Sequence, residues 1–276
     1  LPSGPRAGGA PFNFAFHCTQ LGYPTLIVSR VGNDELGTRL LAEVSRLGLS
    51  TEYLQIDKQH PTGTVQVSVN SEGQPTYQIV ENVAWDYLEW ESRFAQLCAS
   101  APAVCFGTLA QRSALTKATL QRCLKDCSPQ TLTVCDINLR PPFVQASTIA
   151  ESVQACRWLK LNHEETTPVA EALGIPAKNA FSIRLHGGQE LVCVTHGGKG
   201  CELATEATTF FSAGFAVTLA DTVGAGDAFT AALLTKTLAG VPLAEAARFA
   251  NAYAALVASK IGGTPTITLA EVERLL

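Results

Sequence analysis

The chain has 276 residues, 46% hydrophobic and 16% charged, enough apolar material for a large buried core and too little polar bias for a disordered one. A formal net charge of −4 and a pI near 5.8 exclude a general nucleic-acid or membrane-surface binder, since no basic stripe is available to neutralise a row of phosphates. No apolar run reaches the roughly 20 residues a spanning helix needs, and "LPSGPRAGG" (1–9) lacks a signal-peptide core, so a cytoplasmic protein is expected.

In chain order, "AGGAPFNFAFHCTQLG" (7–22) reads as a glycine turn followed by a helix. Pro11 suits its first turn and Gly22 its end, and Asn13 projects from the first turn toward whatever lies over Gly8 and Gly9. His17, one turn further on, reads as a packed core histidine. "TLIVSRVGND" (25–34) reads as a strand leading to a helix over 36–47, with Asp34 at the junction. Residues 62–80 alternate differently: "TVQVSVN", a turn at "SEGQ" and "PTYQIV" make a hairpin with one protected face. We read 52–84 as a small β lid on a main domain formed by 1–51 and 85–276, with part of the N-terminal segment joining the lid; an edge extension of the central sheet is the alternative.

Further strands are expected at 103–109, 131–140, 158–162 and 191–198, with helices at 113–124, 145–156, 164–173, 226–239 and 243–259. Such alternation means a mostly parallel sheet covered by helices on both faces, whose ligands collect beyond the carboxyl ends of the strands. Arg30, Asp34, Asp136, Asn138, Arg140, Asn162 and Thr195 fall at those ends and are expected around one crevice. The nine cysteines are scattered through apolar stretches, which favours reduced, buried thiols over a disulfide framework. Cys123 and Cys127 have no neighbours to complete a zinc site. The sequence holds no methionine, and we expect residues upstream of Leu1.

The stretch "DTVGAGDAFTAALL" (221–234) follows the strand-like "FAVTLADT". Its glycines, Gly224 and Gly226, are bare where a helix begins, so that an anion can approach backbone amides at the positive end of the helix. On the residues alone Asp227 is either a helix cap or an acid facing that anion. No Gly-x-Gly-x-x-Gly follows an early strand, which argues against a dinucleotide-binding dehydrogenase.

These stretches together resemble the ribokinase-like (PfkB) sugar kinases, from Gly8 to about Thr266, and within them the fructokinase type through "LPSGPRAGGAP", "FGTLAQRS" and "DINLRPPF". The resemblance implies a three-layer α/β/α fold with a mostly parallel central sheet and a small β lid. It implies transfer of the γ-phosphoryl of Mg·ATP to a hydroxyl of a small sugar, fructose first, with another ketose, a sugar acid or a nucleoside as alternative acceptors. A non-catalytic ligand-binding or scaffold relative is the rival outside enzymes. Asp227 would be the base, with Gly224, Ala225 and Gly226 as the anion hole and Arg140 near the moving phosphoryl. Gly8, Gly9, Asn13 and Asp34 would contact sugar; Asn162, Glu165, Thr195, Gly197, Gly200 and Asn251 would hold the nucleotide. Glu165 would organise Mg²⁺ through water, and Asp221 with the Val223 carbonyl would form part of a K⁺ site. Taken alone, Asp34 reads equally as a helix cap, Arg140 as an ion-pair partner, Glu165 as a first-turn acid and Asn251 as a buried polar cap. The family's first strand, with a sugar-contacting Asp, would precede Leu1. A lid with one protected face could pair two copies into a homodimer; no nucleic-acid or membrane partner is expected.

Overall fold

The computed structural model describes residues 4, 6–69, 75–176 and 179–276. Helix α1 (Ala10–Gln20) starts at Gly9, whose φ of 110° only glycine adopts without strain, and carries its proline in the first turn. Strand β1 (Ser29–Gly32), helix α2 (Glu35–Arg46) and strand β2 (Leu54–Asp57) follow; β1 and β2 pair in parallel, in a two-stranded sheet of their own. Segment 25–34 is thus a strand, but it does not lie in the central sheet: its partner is Leu54–Asp57. Strands β3 (Val65–Val69) and β4 (Pro75–Ile79) form the expected antiparallel hairpin, as a second separate pair rather than an extension of the main sheet. The turn expected at "SEGQ" lies outside the described residues.

Helix α3 (Ser92–Ser100) leads into the main sheet, built from β5 (Ala103–Phe106), α4 (Ala114–Asp126), β6 (Leu132–Asp136), α5 (Ala146–Ala155), β7 (Trp158–Asn162), α6 (Thr166–Leu173), α7 (Ala180–Gly187) and β8 (Leu191–Thr195). Strands β5 to β8 are parallel. Strands β9 (Gly200–Thr205) and β10 (Thr209–Ala213) then return antiparallel, giving the order β10-β9-β8-β7-β6-β5. Helices α8 (Ala225–Leu238), α9 (Leu243–Ala258) and α10 (Leu269–Leu275) complete the chain. The strand-like "FAVTLADT" forms no strand; it runs as an irregular segment tied by the amides of Ala220 and Asp221 to the Ala258 carbonyl at the end of α9.

Strand periodicity divides the core in two. Cys135, Leu159, Leu161, Val192 and Val194 face α5, α6 and α7, while Val134, Leu191, Cys193 and Leu203 face α8 and α9 on the other side. The parallel strands, covered on both faces, are therefore nearly continuous apolar runs. Helices α3 and α4 bring Cys98 and Cys123 into a disulfide, which corrects the expectation that the cysteines remain thiols; the other seven are free. The two partners lie 25 residues apart on different helices, a spacing that carries no signal in the sequence. Among the described residues no helix is long and apolar enough to cross a membrane.

Leu161 is fully buried between β7 and the α5–α6 layer. Leu161→Ala is expected to cost about 2–5 kcal/mol of stability, read from the urea midpoint, whereas truncating exposed Glu164 two residues past the strand should stay within about 0.5 kcal/mol.

Candidate active site

The parallel strands end at Phe106, Asp136, Asn162 and Thr195, and the last two are direct register partners. From Asn162 the chain enters a 3-10 turn (His163–Glu165) closed by a capping box: Asn162 Oδ1 accepts from the Glu165 amide at 3.0 Å, and Glu165 Oε2 accepts from the Asn162 amide at 2.8 Å. Glu165 Oε1 accepts from the Leu139 amide at 2.7 Å, so this one carboxylate joins the ends of β6 and β7. Burial, aided by the charge of Asp136, raises its pKa above the usual carboxylate range against the pull of those amides and of Lys160. The Asn-x-x-Glu spacing thus has a local structural cause, and each Glu165 oxygen keeps a lone pair for a further donor.

Helix α8 begins at Gly224 with no side-chain cap, and its Asp227 sits in the first turn. Asp227 is not capping: its Oδ2 accepts from Asn13 Nδ2 of α1 at 2.8 Å. Ala228 makes the first backbone bond of the helix, to Gly224, and the Ala225 amide reaches Thr222; among the described residues the amides of Gly226 and Asp227 find no acceptor. Unpaired amides at the positive end of a helix are an anion site in waiting. Burial first, then the nearby Asp136 charge, push the Asp227 pKa up to about 6, while the Asn13 hydrogen bond, Lys160 and Arg140 oppose the rise.

The two glycines of this turn are bare for reasons internal to the chain. Gly224 has φ 78°, and a Cβ there would stand 2.6 Å from the Cα and carbonyl oxygen of Gly263; a Cβ on Gly226 would meet Lys160 Nζ at 3.3 Å. Packing inside the chain thus gives Gly224 a second reason to be bare, beside the approach of an anion. A Cβ on Gly263 would in turn meet the Asn13 carboxamide at 2.8–3.0 Å, and the Gly263 carbonyl lies 3.0 Å from His17 Nε2. His17 is fully buried, with its other ring nitrogen 3.0 Å from the Tyr253 hydroxyl, and burial lowers its pKa to about 4. It is a packed core histidine, as expected from its position on α1.

Other motif residues meet protein before any ligand. Asp34 caps α2, accepting from the Gly37 amide at 2.7 Å and from the Thr62 amide and hydroxyl at 2.8 and 2.6 Å. Arg30 pairs with Asp57 at 2.9 Å on the β1–β2 sheet. Asn251 is buried and donates to the Ser212 carbonyl at 3.0 Å and hydroxyl at 3.1 Å, fastening α9 to β10. Asp221 takes the amides of Val223 and Gly262, each at 3.0 Å. Gly200 crosses Ser212 and Gly214 too closely for a Cβ, whereas Gly8, Gly9 and Gly197 face open space. The Thr195 hydroxyl lies 3.4 Å from the Leu161 carbonyl. Arg140 is exposed, donates to the Leu139 carbonyl at 2.9 Å and acts on Asp227 through its charge.

Lys160 was missed in the sequence. It lies buried in β7 with Nζ 3.0 Å from both oxygens of Asp136. The signal was present: a lysine between Leu159 and Leu161 in a covered strand must have a buried partner.

The family model for pfkB family carbohydrate kinases matches residues 5–269. The chain belongs to that family. It is 30% identical over 267 residues to the uncharacterized sugar kinase PH1459 of Pyrococcus horikoshii, covering 94% of this chain and 83% of that one. The structure of that kinase with ATP superposes with a TM-score of 0.81 over 98% of this chain and 90% of its own, at 28% identity. A fructokinase of Solanum tuberosum is 30% identical over 273 residues, 94% of this chain and 82% of the relative. The fold of "a putative Ribokinase II in complex with ATP and Mg+2 from E.coli" matches at a TM-score of 0.80 and 19% identity over 99% and 89% of the two chains. The chain is therefore a sugar kinase with a ribokinase-like fold, a phosphotransferase that uses an alcohol as acceptor.

Gly263 is the lever by which the orientation of Asp227 can be tested, because its backbone is outside the left-handed region and accepts alanine. The new Cβ would fall 2.8–3.0 Å from the Asn13 carboxamide and push it off Asp227. Loss of that hydrogen bond should lower kcat about tenfold, measured by ADP release; an unchanged kcat would mean that Asn13 does not orient Asp227.

Proposed function

We propose that this kinase transfers the γ-phosphoryl of Mg·ATP to a hydroxyl of a small sugar, with fructose the first candidate. The observation that carries the reading is the pairing of Asp227, its pKa near 6, with the unpaired amides of Gly226 and Asp227 at the start of α8. Asn13 occupies Oδ2 of Asp227 and leaves Oδ1 to receive a proton. As the acceptor oxygen attacks the γ-phosphorus, its proton passes to Asp227, the bond from phosphorus to the bridging oxygen of ADP breaks, and ADP leaves. The amides and the helix dipole stabilise charge on the moving phosphoryl, and Arg140 adds a guanidinium at the crevice mouth.

The donor set at Glu165 fits a hydrated cation: a buried carboxylate, each oxygen bound by one amide, with lone pairs to spare for water. Bound Mg²⁺ would offset charge on the phosphate oxygens. The open space over Gly8 and Gly9 suits the sugar, and that over Gly197 suits the nucleotide, beside Thr195 and Asn162. In this reading Asp34 and Asn251 act on substrates through the elements they fasten, and Asp221 with the Val223 carbonyl holds K⁺ beside the hole. The hairpin lid closes over the sugar to exclude water, its outer face pairs two copies, and the enzyme works in the cytoplasm. A ketose other than fructose, a sugar acid or a nucleoside remains an alternative acceptor; a scaffold that binds ATP without turnover would fail on all of them.

A panel of these acceptors with the native chain beside Asp227→Asn tests the proposal. The variant should keep nucleotide affinity and lose at least about a hundredfold in kcat; equal rates would remove Asp227 from the role of base. Because the base acts unprotonated and its pKa is raised, kcat/KM should fall as pH drops through about 6 and level off above it, in a pH-rate series on the best acceptor.

A further inference from the structure

Lys160 belongs to none of the motifs above, yet it is the least expected residue in the crevice: a lysine 8% exposed, in the middle of a central strand. Alternation explains its place. Leu159 and Leu161 face the α5–α6 layer, so Lys160 points the other way, beneath α8. Two of its three N–H donors go to Asp136, and Asp136 Oδ2 also accepts the Thr230 hydroxyl at 2.9 Å, from α8 within one turn of Asp227. The ammonium comes close enough to Gly226 that any side chain there would press on it.

We infer that Lys160, paired with Asp136 under the first turn of α8, is a positioning residue that sets the charge balance around Asp227 and holds that turn in place. The inference rests on the reading of Asp227 as the base. Asp227 is faced by the Asn13 amide from α1, the Asp136 carboxylate from β6, the Lys160 ammonium from β7 and the Arg140 guanidinium from the loop after β6; its charge is also felt at the Cys105 thiol of β5. Asp136 and Lys160 act on it with opposite signs. Lys160 stays charged in spite of burial because Asp136, then Asp227 and Glu165, hold its pKa above the usual lysine value. A pair kept only for stability could be exchanged for apolar residues at little cost. A pair that sets the charge balance at the base cannot lose one member without moving the titration of that base.

The test follows the Asp227 carboxyl directly, by carbon-13 NMR of the full chain labelled at aspartate carboxyls, with the resonance identified by its absence in Asp227→Asn. From about pH 4 to about pH 9, Lys160→Met should raise the Asp227 midpoint by about one unit and Asp136→Asn should lower it by a similar amount. Lys160→Arg should stay near wild type, and the double variant Lys160→Met/Asp136→Asn should return to within about half a unit of it. The acid limb of kcat/KM should move in step. Should Lys160→Met fail to fold, with Asp136 left unpaired, Asp136→Asn and the double variant carry the same comparison. A midpoint that does not move in Asp136→Asn, or that moves the same way in both single variants, overturns the inference. If no acceptor on the panel is phosphorylated, the proposed function fails on that count alone, and the titration of Asp227 is still read.

Discussion

The site depends on holding a carboxylate in a recess at the positive end of a helix without letting the helix neutralise it. An acid in the first turn would ordinarily accept from the free amides nearby and serve as a cap. Here Asn13 draws Oδ2 of Asp227 across to α1, so the amides of Gly226 and Asp227 stay unpaired and the carboxyl stays apart from them. Both halves of that arrangement are costly alone, since orphan amides and a buried charge each want a partner. Together they leave two backbone donors and a carboxylate oxygen available in the first turn of α8.

Close packing keeps this arrangement rigid. Gly224, Gly263, Asn13 and His17 form a continuous stack in which each residue limits the next: Gly224 lies against the Gly263 backbone, Gly263 against the Asn13 amide, and the Gly263 carbonyl against the His17 ring. His17 is anchored by Tyr253 in the core of α9, so the orientation of Asp227 is referred through these contacts to the apolar cluster around α8 and α9. Such a chain of contacts has little room to give, because interiors are packed like crystals.

Much of this was legible in the sequence. The helix boundaries from α2 to α9 that were anticipated fall within two residues of those observed, and the crevice at the strand ends follows from parallel connectivity alone. The glycine start of α1, whose chemistry is local, declared itself by spacing, whereas Asn162 and Glu165 were singled out by the family resemblance and not as the capping box they form. What remained hidden depends on contacts between distant segments. Gly263 has no motif, and only the approach of residue 224 gives it a purpose. The strand at 29–32 looked like any other, and its pairing with 54–57 instead of the central sheet is a choice of partner that periodicity does not encode. The β9–β10 return was missed because no element was assigned to 201–213, and the disulfide because its cysteines sit on separate helices.

The hairpin and the loop after β6 are also mechanically joined. Arg112, nearly buried, forks onto both oxygens of Asp86 at 2.7 and 2.8 Å and donates to the Val80 carbonyl at 2.7 Å, immediately after β4. Its guanidinium lies over the Trp85 ring at 4.0 Å and over the Phe143 ring at 4.6 Å. Phe143 closes a turn on Arg140 through a 2.9 Å backbone bond. One planar cation therefore touches both the root of the hairpin and the loop that presents Arg140, and a lysine, with no flat face to stack and no fork to pair, could not do both. Displacing the hairpin at its root would therefore strain contacts shared with the loop that carries Arg140.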